Sequence, residues 1–236
     1  MAKPHHRRRR RTNKVIRIHK EGYFILASVF IFLAILNLVL FYFGLDHRVC
    51  LVNLIISVAA FMFFLYFFRN PFRSITISDD SLLVSPADGK VVAIEPVEVQ
   101  EYFGGKKMMQ VSVFMSVFSV HANWYPLNGT VKHSRHQDGR HMAAYLPKSS
   151  SENEKSFVVI ESKNGKEIML SQIAGALARR IVTYAAVGHP AVLNEHLGFI
   201  KFGSRVDIFL PMDSTIYVQM GEHVEGNQTI IARLAD

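Results

Sequence analysis

Gly203 and Ser204 stand together in LGFIKFGSRVDIFLP, with apolar runs on both sides of the pair. A Gly-Ser pair is common, and only this setting gives it chemical interest. Glycine tolerates the backbone strain that brings a serine Oγ onto the preceding carbonyl carbon. In that geometry the hydroxyl attacks the Gly203 carbonyl and the peptide bond becomes an ester. β-Elimination of the ester leaves dehydroalanine, and water converts this to a pyruvoyl group with release of ammonia. Serine is a weak nucleophile at neutral pH, so the first step needs a base. A histidine oriented by a carboxylate would serve.

Other residues compete for attention. His133, His136 and His141 lie close together in KHSRHQDGRH. On a strand His133 and His136 point to opposite faces, and no cysteine or paired acid accompanies them. The expectation is a surface or turn role and no metal. A zinc hydrolase would place two histidines four apart on a helix with a glutamate, and no such spacing occurs. Asp88 in SPADGKVV reads by itself as the aspartate of an Asp-Gly turn. Lys90 is placed as a biotin or lipoate carrier lysine might be, but its neighbours do not form the carrier hairpin.

These residues fall in a stretch, from Leu82 onward, where short apolar runs alternate with turn residues. Strands are predicted at 82–85, 90–97, 108–118, 156–161 and 166–170. Further strands are predicted at 181–187, 199–202, 205–210, 216–220 and 228–233. Asp88-Gly89 and Asn164-Gly165 are hairpin signals. Residues 171–180 suit either a short helix or a strand with a loop, and 149–155 a surface loop or short helix. The fold class expected for 69–236 is a mainly β (α+β) catalytic domain of barrel or sandwich type.

Upstream the composition changes. Residues 23–43 and 49–68 are almost wholly apolar, with Asn37 and Asn53 as their most polar members. Each is about 20 residues long, enough to cross a hydrocarbon core of roughly 30 Å at 1.5 Å per residue. The five residues 44–48 between them allow a tight hairpin only, so 23–68 is expected to be a transmembrane helical hairpin. A cleaved signal peptide fits poorly, because a second apolar segment follows at once; a shallow hairpin that never crosses is the alternative. The net charge of +8 is carried by residues 1–22, where nine Lys or Arg face the single acid Glu21. That placement argues against nucleic-acid binding and for a cytoplasmic topology signal that also touches anionic lipid. Arg69 and Arg73 after the second segment fit a cytoplasmic exit. Cys50, the only cysteine, excludes an internal disulfide and fits a lipid-facing or packing place.

The motifs SPADGKVV, VFSVHANWYP, SSSENEKSFVVIES, QIAGALARRIV and LGFIKFGSRVDIFLP follow one another in a familiar order. Together they resemble the phosphatidylserine decarboxylases, especially the short bacterial and archaeal type. The resemblance runs from FFRNPFR at 67–73 to near the C-terminus, and GSRVD is similar to that type's self-cleavage motif. It implies a proenzyme cut into a β chain, 1–203, and an α chain, 204–236, which stay associated. It also implies a covalent pyruvoyl (pyruvate) cofactor made from Ser204, with no metal. The pyruvoyl carbonyl would form a Schiff base with the amine of phosphatidylserine and withdraw electrons as carbon dioxide leaves, giving phosphatidylethanolamine.

By the same resemblance Asp88 matches the acidic residue of the self-cleavage relay. His121 matches the first of two histidines found three apart in longer members, and the second falls on Trp124. Either His121 serves both cleavage and decarboxylation, or one of His133, His136 and His141 contributes. Trp124 then reads as apolar lining. The implied location is the inner membrane, with the catalytic domain on its cytoplasmic face beside a bilayer substrate.

Overall fold

A computed structural model of the protein describes residues 16–139, 153–175, 180–201 and 204–235. Gly203, His141 and residues 1–15 of the basic tail lie outside that set.

Two helices lead the chain, α1 (Tyr23–Tyr42) and α2 (His47–Phe67). Both are long and apolar enough to cross a membrane, with mean hydropathy of 2.9 and 2.4 over their most apolar stretches. Their apolar residues run all round, and large ones such as Phe24, Phe41 and Ile56 are exposed, as lipid-facing helices require. Gly44, at φ +66°, turns the chain, and Asp46 caps α2 by accepting from Arg48 N–H at 2.7 Å. The polar exceptions meet inside the hairpin. Asn37 Nδ2 donates to Ser57 Oγ at 3.0 Å, and Asn53 Nδ2 donates to Asn37 Oδ1 at 2.9 Å. These bonds hold one helix to the other.

Strand β1 (Ile16–Ile18) pairs with β2 (Arg69–Pro71), joining the chain before α1 to the chain after α2. Next come β3 (Leu82–Val84), β4 (Gly89–Val99), β5 (Lys106–Met115), β6 (Ala122–Trp124) and β7 (Gly129–Gln137). They are followed by β8 (Lys155–Ser162), β9 (Glu167–Ala174), β10 (Ile181–Thr183), β11 (Pro190–Ala191) and β12 (His196–Ile200). The last four are β13 (Ser204–Leu210), β14 (Thr215–Ile216), β15 (His223–Val224) and β16 (Ile230–Arg233). The main sheet is curled and eight-stranded, in the order β11-β7-β8-β9-β13-β5-β4-β15, with every pairing antiparallel. Three-stranded sheets β10-β12-β6 and β14-β16-β3 pack with it. Val113, Leu170, Val206 and Ile208 of the main sheet share one buried core with Leu197, Ile200 and Ile231 of the smaller ones. The fold is therefore mainly β behind two helices, as the residue pattern predicts.

Several elements differ in extent from expectation. The 171–180 stretch is strand as far as Ala174, because β9 needs those residues to pair with both β8 and β13. Strand β5 stops at Met115, where Ser116 begins a turn by accepting from Ser119 N–H at 2.9 Å. The strands predicted at 181–187 and 216–220 shrink to Ile181–Thr183 and Thr215–Ile216. Asn164-Gly165 does turn the β8–β9 hairpin, with Gly165 at φ +73°. Asp88-Gly89 does not form a hairpin, since β3 and β4 enter different sheets. Strand β7 went unpredicted because GTVKHSRHQ has only Val131 fully buried and thus no apolar alternation. Its ladder with β8 holds it in place.

Candidate active site

Ser204 opens β13, the strand with β9 on one side and β5 on the other, and lies opposite both Ala174 and Met115. Apolar flanking residues build these strands, and the serine is fully buried. Its Oγ donates to Met115 Sδ at 3.3 Å, and a thioether is a weak acceptor. Asn123 Nδ2 reaches the same sulfur at 3.7 Å, while Asn123 Oδ1 accepts from Gln172 Nε2 at 2.7 Å. A buried polar strip thus runs from β9 through β6 to the serine. This dry site, with a weakly held hydroxyl at the start of a strand, suits a group made in place from Ser204.

His121 is also fully buried, just before β6. Its ring lies 4.3 Å from that of Phe67, the last residue of α2. Nδ1 is 3.0 Å from Ser119 carbonyl oxygen, which only accepts, so Nδ1 carries the proton and Nε2 the lone pair. Burial lowers the imidazole pKa to about 4; Arg69 adds to this, while the Ser119 bond and Asp88 oppose it. At neutral pH His121 is therefore uncharged and able to accept a proton. Its carbonyl accepts from Ile200 N–H at 3.2 Å, tying it to the strand that precedes Ser204.

Asp88 lies at a bend before β4, and both of its carboxylate oxygens are engaged. Arg73 binds them as a fork, Nη1 to Oδ1 and Nη2 to Oδ2, the latter at 2.9 Å. Gly226 N–H also donates to Oδ1, at 2.7 Å. The contact between Trp124 N–H and Pro86 carbonyl, 2.9 Å, draws the Asp88 segment onto the His121 segment. Asp88 acts on His121 through its charge, whereas Ser204 is joined to the His121 segment through Met115 and Asn123.

Arg73 is a partner of Asp88 that its position after an apolar segment conceals in the sequence. The pair Arg69 and Arg73 reads in the sequence as topology charge, yet each has fixed partners. Arg69 donates to the carbonyls of Tyr66 at 2.9 Å and Phe118 at 2.7 Å, fastening the loop between β5 and His121 to the end of α2. Trp124, which reads in the sequence as apolar lining for the lipid, is buried and faces a cation: the Arg73 guanidinium lies 5.4 Å from its ring centre. On β7, His133 Nε2 meets Glu101 at 3.0 Å, and His136 Nε2 lies 3.3 Å from Glu154. Those contacts place neither histidine with Ser204, and His141 is outside the described residues. Among the described residues no three His, Cys, Asp or Glu side chains converge to hold a metal. Lys90 is exposed on β4, opposite Phe114 and His223. Behind Ser204, Arg205 and Asp207 form a buried ion pair with Nε and Oδ1 2.8 Å apart.

The family model for phosphatidylserine decarboxylase matches residues 60–232. A phosphatidylserine decarboxylase proenzyme of Parabacteroides distasonis is 50% identical over 93% of this chain and 100% of its own length. The proenzyme of Bacteroides fragilis is 51% identical, with 94% and 96% covered, and that of Cytophaga hutchinsonii 45%, with 91% and 97% covered.

Proposed function

The chain belongs to the phosphatidylserine decarboxylase family, and from that premise we propose that it is a proenzyme which cuts itself between Gly203 and Ser204. The observation that carries this reading is the fully buried Ser204 hydroxyl, held by a thioether that also receives Asn123, two residues from His121. His121 takes the proton from the serine Oγ, and Asp88 stabilises the imidazolium that results. The Gly203 carbonyl accepts the oxygen, its bond to nitrogen breaks, and an ester forms. Loss of the Ser204 α-proton then expels the Gly203 carboxylate. Water replaces the nitrogen, which departs as ammonia. The pyruvoyl group so formed at 204 supplies an electron-withdrawing carbonyl that engages the amine of phosphatidylserine as carbon dioxide leaves. We assign the proton for the product, phosphatidylethanolamine, to His121 as well, since its segment is joined to Ser204 through Asn123 and Met115.

The domain arrangement follows the same logic. The hairpin 23–68 spans the inner membrane, the basic tail 1–22 stays cytoplasmic, and 69–236 lies against the cytoplasmic face. A diacyl lipid then reaches the site without leaving the bilayer, beside the Phe118 loop that Arg69 fastens to α2. Cysteine placed at Asp46 in a Cys50→Ser background should react with impermeant maleimide from outside the cell. Labelling from the cytoplasmic side alone would contradict the span.

Intact mass of the wild type and of Ser204→Ala tests the central claim. Two fragments split after Gly203, with a blocked N-terminus on the smaller, are expected from the wild type and one whole chain from the variant. A folded, uncut wild type would sink the reading.

A further inference from the structure

We infer that Arg73 is a positioning residue for Asp88, and that the loop carrying Gly226 completes the hold. The segment downstream of the cut thereby takes part in making it. This deepens the self-cleavage reading and rests on it. The observation is a closed ring of bonds. Arg73 grips both oxygens of Asp88; Gly226 N–H donates to Oδ1 at 2.7 Å; and Arg73 Nη1 donates back to the Gly226 carbonyl at 2.9 Å. With side chains only 15% and 14% exposed, Arg73 and Asp88 have little water to replace one another. A forked guanidinium fixes both the plane and the direction of a carboxylate, which a lone ammonium does not.

Two further residues, Trp124 and Asn227, brace the ring. Trp124 stands beside the Arg73 guanidinium and limits its movement. A Cβ at Gly226 would lie 2.6 Å from Trp124 Cζ3, so only glycine lets the loop come close enough to reach Asp88. Asn227 adds N–H to the Ser85 carbonyl at 2.8 Å and Nδ2 to the Arg73 carbonyl at 3.1 Å. Gly226 and Asn227 lie after residue 204, whereas Arg73, Ser85 and Asp88 lie before it. Asp88 is therefore aimed only after the C-terminal segment has docked. Cleavage is timed to follow folding, and Trp124 acts here as a brace for the cation.

Cell-free synthesis of the full chain into lipid nanodiscs, followed over time by intact mass, tests this. Arg73→Ala should mature on the order of 100-fold more slowly than wild type, as expected when a buried carboxylate loses its forked partner. Added methylguanidinium should restore much of that rate, while Asp88→Asn should gain nothing from it. Wild-type maturation by Arg73→Ala would overturn the inference. Should Arg73→Ala fail to fold by protease resistance, Arg73→Lys decides. It should mature roughly 10-fold slowly, because an ammonium cannot serve Asp88 and Gly226 together, and a wild-type rate would overturn the inference. An uncut wild type would defeat the self-cleavage reading itself. A cut wild type with arrested Asp88→Asn and unaffected Arg73 variants would defeat this inference alone.

Discussion

Ser204 faces Met115 across the β13–β5 ladder, and its Oγ donates to the Met115 sulfur at 3.3 Å. The hydroxyl is dry but bound to an acceptor too weak to compete with a base. Met115→Leu keeps volume and removes the sulfur. It should cleave within about threefold of wild type and lose no more than about 1.5 kcal/mol of stability. Time-resolved intact mass and urea unfolding measure both. Arrested cleavage in a stable variant would instead make the sulfur part of the machinery.

Acid should weaken the fold through its buried histidines. His121 titrates at about 4 when folded, against an ordinary 6.5, because burial disfavours its charge. As pH falls through this window the unfolded chain takes up the proton first. The stability this residue contributes is full above about 6.5 and is lost on the way down to about 4, at no more than about 1.4 kcal/mol per pH unit. Burial moves His19 and His196 the same way. The urea midpoint should fall between those pH values, and fall less steeply in His121→Asn. Identical slopes for the two proteins would refute the assignment.

The ion pair behind Ser204 gives an asymmetric expectation. Burial pushes the Asp207 carboxyl up, while Arg205 and Ser112 pull it back. Asp207→Asn should cost about 3–5 kcal/mol, since it strips a buried cation of its counter-charge. Replacing both partners, Arg205→Met with Asp207→Leu, should recover most of that loss. Urea unfolding of the three proteins distinguishes this from simple additivity.

Phe118 is 63% exposed, and its ring centre lies 6.5 Å from that of Phe63 on α2. On the proposed membrane docking, Phe118→Asp should lower kcat/KM on vesicular phosphatidylserine by about tenfold, as a charge added to an exposed apolar surface beside α2 would. Self-cleavage and turnover of a short-chain, monomeric substrate should stay near wild type. Equal losses on both substrates would show that Phe118 serves the chemistry instead of lipid access.

What the sequence discloses here depends on distance along the chain. Asn164-Gly165 announces a turn because its cause is local, and the two helices are legible because their length and apolarity stand in the residues themselves. Asn37 and Asn53 are visible as exceptions, but their meeting is a property of two helices. Asp88 illustrates the limit. Its partners are 15 and 138 residues away, so its own neighbours offer only an Asp-Gly turn, and that pair predicts a hairpin the fold does not make. Its place in the relay is legible only by resemblance. Strand β7 is hidden for a related reason: its polar residues receive order from β8 and β11 and show no period of their own.

The location of β13 bears on what the proposed cut before Ser204 would do to the fold. Its two ladders, to β9 and β5, mean that the new α chain can leave only if the main sheet comes apart. Unfolding then becomes dissociation. An uncut chain would regain its shape by a unimolecular search, whereas a cut protein would first have to reunite two molecules. Its melting should depend on protein concentration where that of Ser204→Ala does not. Its persistence becomes a matter of barrier height more than of equilibrium. Maturation would thus discard the memory that made the fold recoverable.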